Sequence, residues 1–442
     1  MSSRSVLAAN NLFALLAKLL EGGKSVLVAL LVIQFFSPDE FGVYSVAIAV
    51  GSVVAIVAEF RLMGILLRLY SQFPSITSRL ITNAIAINIA FALLGISVTA
   101  LSFLFVDELL FQCLILFSLS YLFKFGRCIR GVLVAERQNV WVATIEIISG
   151  ILVLSSITLA LLNNASIQTV VLIRALDFLV VSLLYVYVAR GTSILERKTK
   201  QRAKLSPRLI GFLVKKSFPL VLSGAAMLLF QRIDLILIQS YLSSTQAGIY
   251  AAATAVVSVF GIVALVLSES LAPKLFTSNK YPQSEEHKRT CDADLRFGQV
   301  VMLLGLIMSI LSFWISPLVI HCFFSAEYRS AIDVAKVLSL TPFAISLGAF
   351  AGQVIIKHKL EQGVFVKSIV ACFVSICLNL WWIPQFGITG AAWATVVGLM
   401  VANYLSHFFI VRLKPIFVLQ NQVVVELLEQ LIPRFKNAES RR

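Results

Sequence analysis

Long apolar runs separated by short polar gaps fill almost the whole chain. A helix rises about 1.5 Å per residue and the hydrocarbon layer of a bilayer is about 30 Å thick, so roughly 20 apolar residues cross it. A helix also pairs its own backbone polar groups, which lipid cannot do. The pattern therefore predicts an all-α membrane protein with twelve transmembrane helices. The runs are residues 10–34, 41–60, 80–105, 109–126, 140–162, 167–189, 217–239, 247–270, 297–319, 331–356, 364–383 and 387–410.

The composition agrees with a membrane protein. Hydrophobic residues make up 59% of the 442 residues and charged residues 13%, whereas soluble domains carry about 25% charged residues. The six cysteines and four histidines are dispersed without the spacing of metal ligands. We therefore expect no metal, no cofactor and no disulfide framework. The first run has the length of a full span, which favours a retained helix over a cleaved signal.

The basic residues alternate between the two sides of the predicted membrane. Of the 37 lysines and arginines, 31 fall in the termini and in every second gap or at the run edges beside it, one falls in the remaining gaps, and five lie deeper inside runs. Because lysine and arginine concentrate in cytoplasmic loops, the crowded side is predicted to be cytoplasmic, with both termini there. The net charge of +15 then reflects topology, and a nucleic-acid partner is not expected.

A basic stretch at 190–208 divides the twelve runs into six and six. The predicted domains are an N-terminal six-helix bundle with its basic linker at 1–200, a C-terminal six-helix bundle at 206–414, and a cytoplasmic amphipathic or disordered tail at 415–442.

The first outer loop of each predicted half leads into a similar motif. The segments QFFSPDEFGVYSVAIAV and QSYLSSTQAGIYAAATAV both enter a span through Gly-x-Tyr-x-x-Ala, so that Gly42 matches Gly248 and Tyr44 matches Tyr250. Six spans separate the two motifs, which gives them the same orientation in the membrane. This pattern indicates a parallel repeat about an axis near the membrane normal, with a central cavity between the halves.

Three charged residues lie in the first run at intervals of three. A charge near the bilayer centre costs roughly 2.5 to 3.5 kcal/mol, so each one needs a partner or an aqueous cavity. Residues three apart lie close together on a helix. The trio is either a self-neutralising group that fixes helix packing or a cationic site for an anionic substrate with an acidic residue between two bases. Its members are Lys18, Glu21 and Lys24.

Two further pairs of charges lie inside runs. Arg232 and Asp234 are two residues apart, which places them on different faces of a helix, so each needs its own partner. Arg174 and Asp177 are three apart and are predicted to pair with each other, in either a structural or a functional role.

The remaining acidic residues are more isolated. Glu146 lies alone in the fifth run, where it is either an unpaired carboxyl that carries a proton or a hydrogen-bonded structural residue. Glu59 and Glu269 lie near inner ends of runs and are predicted to be interfacial.

No constellation of an enzyme is present in the sequence. The chain has no Gly-x-x-x-x-Gly-Lys-Ser/Thr motif of an ATP motor. Its loops are too short for a separate catalytic domain, so a non-enzymatic transporter is predicted.

Several segments together resemble a known family. They are the twelve runs, FSPDEFGVYSVAIAV, LSSTQAGIYAAATAV after Arg-x-Asp in the seventh run, and IPQFGITGAAWATVVG near the end. They are similar to MATE-like polysaccharide exporters of the MOP superfamily, and more narrowly to Wzx-type O-antigen translocases. The resemblance implies two six-helix bundles around a central cavity in a bacterial inner membrane. Two alternatives remain, an ion-coupled MATE-type drug or metabolite exporter and a membrane-embedded polysaccharide polymerase or transferase.

The resemblance also implies a cargo and its partners. The cargo is an undecaprenyl-diphosphate-linked oligosaccharide moved from the cytoplasmic to the periplasmic leaflet by alternating access. Coupling to H+ or Na+ and contact with polysaccharide polymerase or chain-length machinery are hypotheses. The candidates for binding the diphosphate are Lys18, Lys24, Arg174 and Arg232. The candidates for counter-ions or ion coupling are Glu21, Glu146, Asp177 and Asp234.

Overall fold

The computed structural model describes residues 3–73, 77–191, 205–272, 283–358, 360 and 362–431. These residues form long α-helices joined by short turns, 3-10 segments and a π-helical segment at Val401–Leu405, and no strand occurs among them. The helices of the first part are α1 Ser3–Phe35, α2 Pro38–Glu59, α3 Leu62–Gln72, α4 Thr77–Leu101, α5 Glu108–Phe123, α6 Gly126–Ala135, α7 Asn139–Leu162, α8 Ile167–Gly191 and α9 Pro207–Tyr241. The later helices are α10 Ser244–Leu271, α11 Gln283–Phe323, α12 Ala331–Leu338, α13 Thr341–Lys357, α14 Gln362–Met400, α15 Ser406–Phe409 and α16 Lys414–Leu431.

The described helices accommodate the twelve predicted spans. Nine of them are long and apolar enough to cross a membrane, and the pair α5 and α6, bent by 42° at the break, makes a tenth. The helix α1 has 33 residues but carries charged side chains within its apolar stretch. The helix α14 consists of two helical segments, because its backbone breaks at Gly387 with φ 60°.

The break at Gly387 is a kink between two helical segments. A left-handed φ strains any residue with a side chain, and glycine adopts it without a clash. A Cβ on Gly390 would overlap the carbonyl oxygen of Trp382, so the backbones on the two sides of the kink are in contact. The small residues that follow, Ala391, Ala392 and Ala394, are fully buried. Small side chains therefore allow close packing here.

The chain forms two compact units, Met1–Ala252 and Ala253–Arg442. In the first unit α1 packs on α7, α5 packs on α8, and α2 lies between α4, α5 and α9. The unit therefore extends past the basic linker, and the division into bundles at 1–200 and 206–414 stays a prediction. In the second unit α11 packs on α13 and α16, and α12 packs on α14.

The start of α2 shows how local sequence sets a helix end. Ser37 accepts a hydrogen bond from the backbone of Glu40, whose carboxylate accepts one from the backbone of Ser37, and Pro38 occupies the first turn. This reciprocal cap pairs backbone N–H groups of the first turn, which have no partner inside the helix. The same turn carries Gly42, one of the two glycines in the repeated motif.

The helix α16 forms the described part of the predicted tail. Val423 and Ile416 are buried against the cluster that includes Phe297 and Phe350. The remaining residues of the predicted tail, 432–442, lie outside the described part of the chain.

Candidate functional site: a buried charged cavity

A small cavity lined with charged side chains lies inside the first unit. Its volume is about 120 Å³, and the side chains come from α1, α6, α7 and α8, with Lys124 at the break between α5 and α6. The charged residues that line it are Glu21, Lys24, Lys124, Arg127, Arg130, Glu146, Arg174 and Asp177. Five of the eight predicted site residues therefore line one cavity, although they come from three different runs.

Lys24 lies at the centre of one group of contacts. Its Nζ atom is 2.8 Å from Oδ2 of Asp177, 2.8 Å from Oγ of Ser149 and 3.8 Å from Oε2 of Glu146. The side chain of Lys24 is 9% exposed, and those of Glu146 and Asp177 are 4% and 3% exposed. The partners of Lys24 thus come from α7 and α8. These contacts link α1 to the rest of the unit.

The predicted pair of Arg174 and Asp177 is confirmed. Nη1 of Arg174 is 3.4 Å from Oδ2 of Asp177, and its Nη2 donates to Oγ of Ser25 at 3.2 Å. Since Asp177 also faces Lys24, one carboxylate balances two cations. The cluster therefore holds α1 and α8 together through Asp177 and Ser25.

Glu146 is not the unpaired carboxyl that the sequence allowed. Its Oε1 atom accepts a hydrogen bond from the hydroxyl of Tyr185 at 3.3 Å and lies 3.8 Å from Nη1 of Arg130. Lys24 faces its other oxygen. Glu146 is therefore the hydrogen-bonded residue of the second alternative, and its partners come from helices that are distant in sequence.

Glu21 pairs with bases outside its own helix. Nη1 of Arg130 is 2.8 Å from one carboxylate oxygen of Glu21, and Nη2 of Arg127 is 3.5 Å from the other. Glu21 and Lys24 thus each have ion-pair partners on other helices, and both alternatives for the trio stay predictions. The Lys18 side chain lies outside the described part of the structure.

Three bases of this cluster, Lys124, Arg127 and Arg130, come from the end of the fourth run and the gap after it, which is one of the gaps predicted to be cytoplasmic. Lys124 is 2.9 Å and Arg127 is 2.8 Å from the carboxylate of Glu59, which is 12% exposed. Lys124 also lies over the ring of Phe178, 4.7 Å from its centroid. The break between α5 and α6 turns these bases toward the cavity. Counting the charges in the loops gave no indication of this position. The signal in the sequence was the spacing of Lys124, Arg127 and Arg130 at intervals of three, which places them close together on a helix.

The described cluster carries a surplus of positive charge. Its five bases face four carboxylates, and the Nε atoms of Arg130 and Arg174 are buried without a hydrogen-bond partner. Leaving a buried donor of a charged group unpaired is costly. These two donors are therefore unused within the described part of the chain. The bases are Lys24, Lys124, Arg127, Arg130 and Arg174, and the carboxylates are those of Glu21, Glu59, Glu146 and Asp177.

The two remaining predicted residues do not line this cavity. Asp234 accepts hydrogen bonds from the hydroxyl of Tyr250 and from the backbone of Leu235. Arg232 is half-buried, and its Nε atom has no hydrogen-bond partner among the described residues. Their roles stay predictions.

The fold of the described helices is similar to that of several solved structures. The structure resembles the lipid II flippase MurJ in an inward closed conformation, with a TM-score of 0.68 and 16% identity over 95% of this chain and 91% of that chain. It also resembles the MATE multidrug transporter DinF-BH, with a TM-score of 0.66 and 13% identity over 94% of this chain and 97% of that chain. The predicted MATE-like fold is therefore confirmed.

The family is shown by the sequence itself. Residues 7–278, more than half of the chain, match the family described as polysaccharide biosynthesis protein. The chain belongs to this family, and the predicted resemblance to MATE-like polysaccharide exporters is confirmed. No curated protein sequence matches the chain significantly.

Proposed function

We propose that this protein is a flippase that moves a polyprenyl-diphosphate-linked oligosaccharide, such as an O-antigen or other surface polysaccharide repeat unit, from the cytoplasmic to the periplasmic leaflet of a bacterial inner membrane. The observation that carries the proposal is the buried cluster with five bases and four carboxylates inside membrane-spanning helices. Membership in a polysaccharide biosynthesis family supports it.

The chemistry of the cluster suits a diphosphate. Removing charges from water costs several kcal/mol per ion, so a buried cluster of this kind lowers the stability of the fold. We therefore expect a protein to retain it only where the cluster has a function. Guanidinium groups bind phosphate oxygens through paired hydrogen bonds. Arg130 and Arg174 each have a buried Nε donor without an acceptor, which a phosphate oxygen can supply. A cationic path also lowers the cost of carrying a diphosphate across the hydrocarbon layer.

The cavity must enlarge to accept this cargo. Its volume of about 120 Å³ is below the roughly 300 to 1,000 Å³ typical of ligand pockets. Arg127 and Glu21 are the most exposed members of the described ion pairs in the cluster, at 40% and 38%. We infer that cargo first displaces the pair of Arg127 and Glu21 and then reaches the buried bases.

The roles of the charged residues follow from this cargo. Lys18, Lys24, Arg174 and Arg232 are proposed to bind the diphosphate, together with Arg127 and Arg130, which the structure adds. Glu21, Glu146, Asp177 and Asp234 are proposed as counter-ions or as sites of H+ or Na+ coupling. Alternating access between two six-helix bundles would carry the head group while the polyprenyl tail stays in lipid.

The decisive experiment follows the lipid-linked repeat unit in cells. Cells that lack this protein should accumulate it on the cytoplasmic leaflet and lose the surface polymer, and a plasmid copy should restore both. Its undiminished delivery to the periplasm, in cells shown to have no redundant transporter, would refute the proposal.

An ion-coupled MATE-type exporter is the second candidate, and the structural similarity to DinF-BH supports it. Reconstituted vesicles distinguish the two functions. Ion-driven efflux of a small organic cation without translocation of a lipid-linked oligosaccharide would favour the exporter.

A further inference from the structure

Two apolar segments of the first unit are broken at neighbouring positions. The segment Pro38–Tyr70 is interrupted where Phe60 and Arg61 adopt left-handed backbone, with φ 50° and 44°. This conformation strains a residue that has a Cβ atom. The second break lies at Lys124, where α5 and α6 are bent by 42°. The carboxylate of Glu59, directly before the first break, is 2.9 Å from Nζ of Lys124, so the two breaks are in contact.

Side chains of neighbouring helices pair the backbone groups that the breaks leave open. The hydroxyl of Ser182 on α8 donates to the carbonyl of Phe123 and accepts from the backbone N–H of Gly126 at 3.0 Å. The amide of Asn88 on α4 donates to the carbonyl of Ala58 at 3.0 Å. A buried backbone group without a partner is costly, so these contacts stabilise the chain in its broken form. Both breaks are therefore built into the fold.

The segments beyond the two breaks, α3 and α6, are joined along their length. The helix α3 packs more extensively on α6 than on any other described helix. In the middle of the contact, a Cβ on Gly131 would press against the backbone of Met63. At the far ends, the hydroxyl of Tyr70 donates to the carboxylate of Glu136. We call these two helices the α3–α6 pair, because their contacts make them one body.

Two arginines connect the α3–α6 pair to α1 at the charged cavity. On α6, Nη1 of Arg130 is 2.8 Å and Nη2 of Arg127 is 3.5 Å from the carboxylate of Glu21 on α1. Arg127 is 40% and Glu21 is 38% exposed, whereas the other carboxylates of the cluster are at most 12% exposed. These ion pairs therefore lie where the cavity meets the surface. Their loss would free this side of the α3–α6 pair from α1.

We propose that the α3–α6 pair is a hinged gate of the charged cavity. It turns at the two breaks, and the ion pairs of Glu21 hold it closed. Ser182 and Asn88 are positioning residues, because they hold the backbone at the hinges without lining the opening. The motion takes place within the first unit. It supplies the enlargement that the cavity needs before it can accept the cargo, a step that rests on the proposed function.

The test measures distances between paired spin labels in the purified full-length chain, with no cargo present. The labels are attached to introduced cysteines after the six native ones are replaced by alanine. One label pair, at Gly64 on α3 and Tyr187 on α8, reports movement of the gate, since both positions are exposed. A second label pair, at Gly64 and at Arg137 after α6, reports distances within the α3–α6 pair.

Glu21→Gln should open the gate, because the amide keeps the shape of the side chain but loses its charge. The mean distance between labels at Gly64 and Tyr187 should change by about 2 Å or more, the scale of helix shifts in switching proteins. The distance between Gly64 and Arg137 should stay the same. Glu108→Gln is the matched control, because its carboxylate is exposed on α5, and it should change neither distance.

An unchanged distance between Gly64 and Tyr187 in Glu21→Gln would overturn the proposal. Equal changes in both distances would also overturn it, since α3 and α6 would then not move as one body. If Glu21→Gln does not fold, Arg130→Gln breaks the closer ion pair and should give the same result. Because no cargo is used, failure here is distinct from failure of the flippase function, which the export of the lipid-linked repeat unit measures.

A further variant tests the hinge between α5 and α6. Ser182→Ala removes the hydroxyl that spans this break while Glu21 keeps its ion pairs. It should broaden the distribution of distances between Gly64 and Tyr187, because the hinge is no longer held in one conformation. A distribution as narrow as that of the unsubstituted protein would show that Ser182 does not position the gate.

Discussion

Gly42 and Gly248 are in reciprocal backbone contact. A Cβ on Gly42 would overlap the carbonyl oxygen of Ser244, and a Cβ on Gly248 would overlap that of Pro38. Ser244 lies four positions before Gly248, and Pro38 lies four positions before Gly42. The two contacts are therefore equivalent, as expected where two copies of a repeated motif face each other. Asp39 and Thr245, the residues three positions before the glycines, are hydrogen-bonded at 3.2 Å. The predicted repeat therefore has a structural counterpart in the crossing of α2 and α10.

Gly42→Ala and Gly248→Ala should each disturb this crossing. The added methyl group has no space, so the helix ends must move apart, and an overpacked site costs about 1 to 3 kcal/mol. Thermal unfolding of the purified variants measures the loss. Gly64→Ala is the control, because a Cβ there meets no atom within 4 Å and alanine favours a helix. An unchanged Tm in both crossing variants would contradict the contact.

Asp177→Asn should destabilise the protein strongly. The substitution leaves Lys24 and Arg174 buried beside a neutral amide, and removal of one partner of a buried ion pair costs about 3 to 5 kcal/mol. Asp333→Asn is the control, because Asp333 is 77% exposed and lies 3.6 Å from Lys336. An exposed pair of this kind contributes about 0 to 1 kcal/mol. Similar Tm values for the two variants would show that the buried cluster does not hold the helices together.

Arg130→Gln should lower export by about tenfold or more. The glutamine retains a hydrogen-bond donor but loses the charge that faces Glu21 and Glu146, and a hydrogen bond to a charged group contributes about 1.5 to 3 kcal/mol. Arg68→Gln, at an exposed position on α3, should leave export unchanged. The amount of lipid-linked repeat unit that reaches the periplasm, normalised to protein in the membrane, checks the comparison. Equal export by both variants would remove Arg130 from the cargo path.

Arg232→Ala should lower export while the protein still folds and inserts. Asp234 keeps its hydrogen bonds from Tyr250 and from the backbone of Leu235 when this arginine is removed, so its carboxylate retains partners. Tyr250→Phe is an informative comparison, since it breaks the hydrogen bond to Asp234. It should lower Tm, but it removes no positively charged side chain that is proposed to bind the cargo. Full export by Arg232→Ala would remove this arginine from the proposed site.

The membrane orientation can be tested by labelling introduced cysteines with an impermeant thiol reagent in intact cells. A cysteine at Asn164, between α7 and α8, should react from outside, whereas one at Arg137, between α6 and α7, should react only after the membrane is opened. The concentration of lysine and arginine in alternate gaps predicts this result. The opposite labelling pattern would invert the proposed topology and the direction of cargo loading.

Much of the architecture was readable because it depends on local properties. The apolar runs predicted the spans, and the spacing of Arg174 and Asp177 predicted their pairing. A hydrophobic run needs no knowledge of its neighbours to prefer lipid. A pair three residues apart is likewise brought together by the helix alone.

The partners of the buried charges were not readable in this way. Lys24 is 153 residues from Asp177 and 122 from Glu146 along the chain, and no periodicity relates these positions. Lys124, Arg127 and Arg130 were assigned to a loop, because their contacts with Glu59 and Glu21 depend on the bend between α5 and α6.

The sequence by itself determined that the chain is a membrane protein, where its helices lie and which charges are too deep to be incidental, because these follow from hydropathy and helical geometry. Only the tertiary structure decided which cation meets which carboxylate and which arginines keep an unused donor. Ion pairing in a protein interior depends on distances of a few ångströms between distant segments, and packing alone sets those distances.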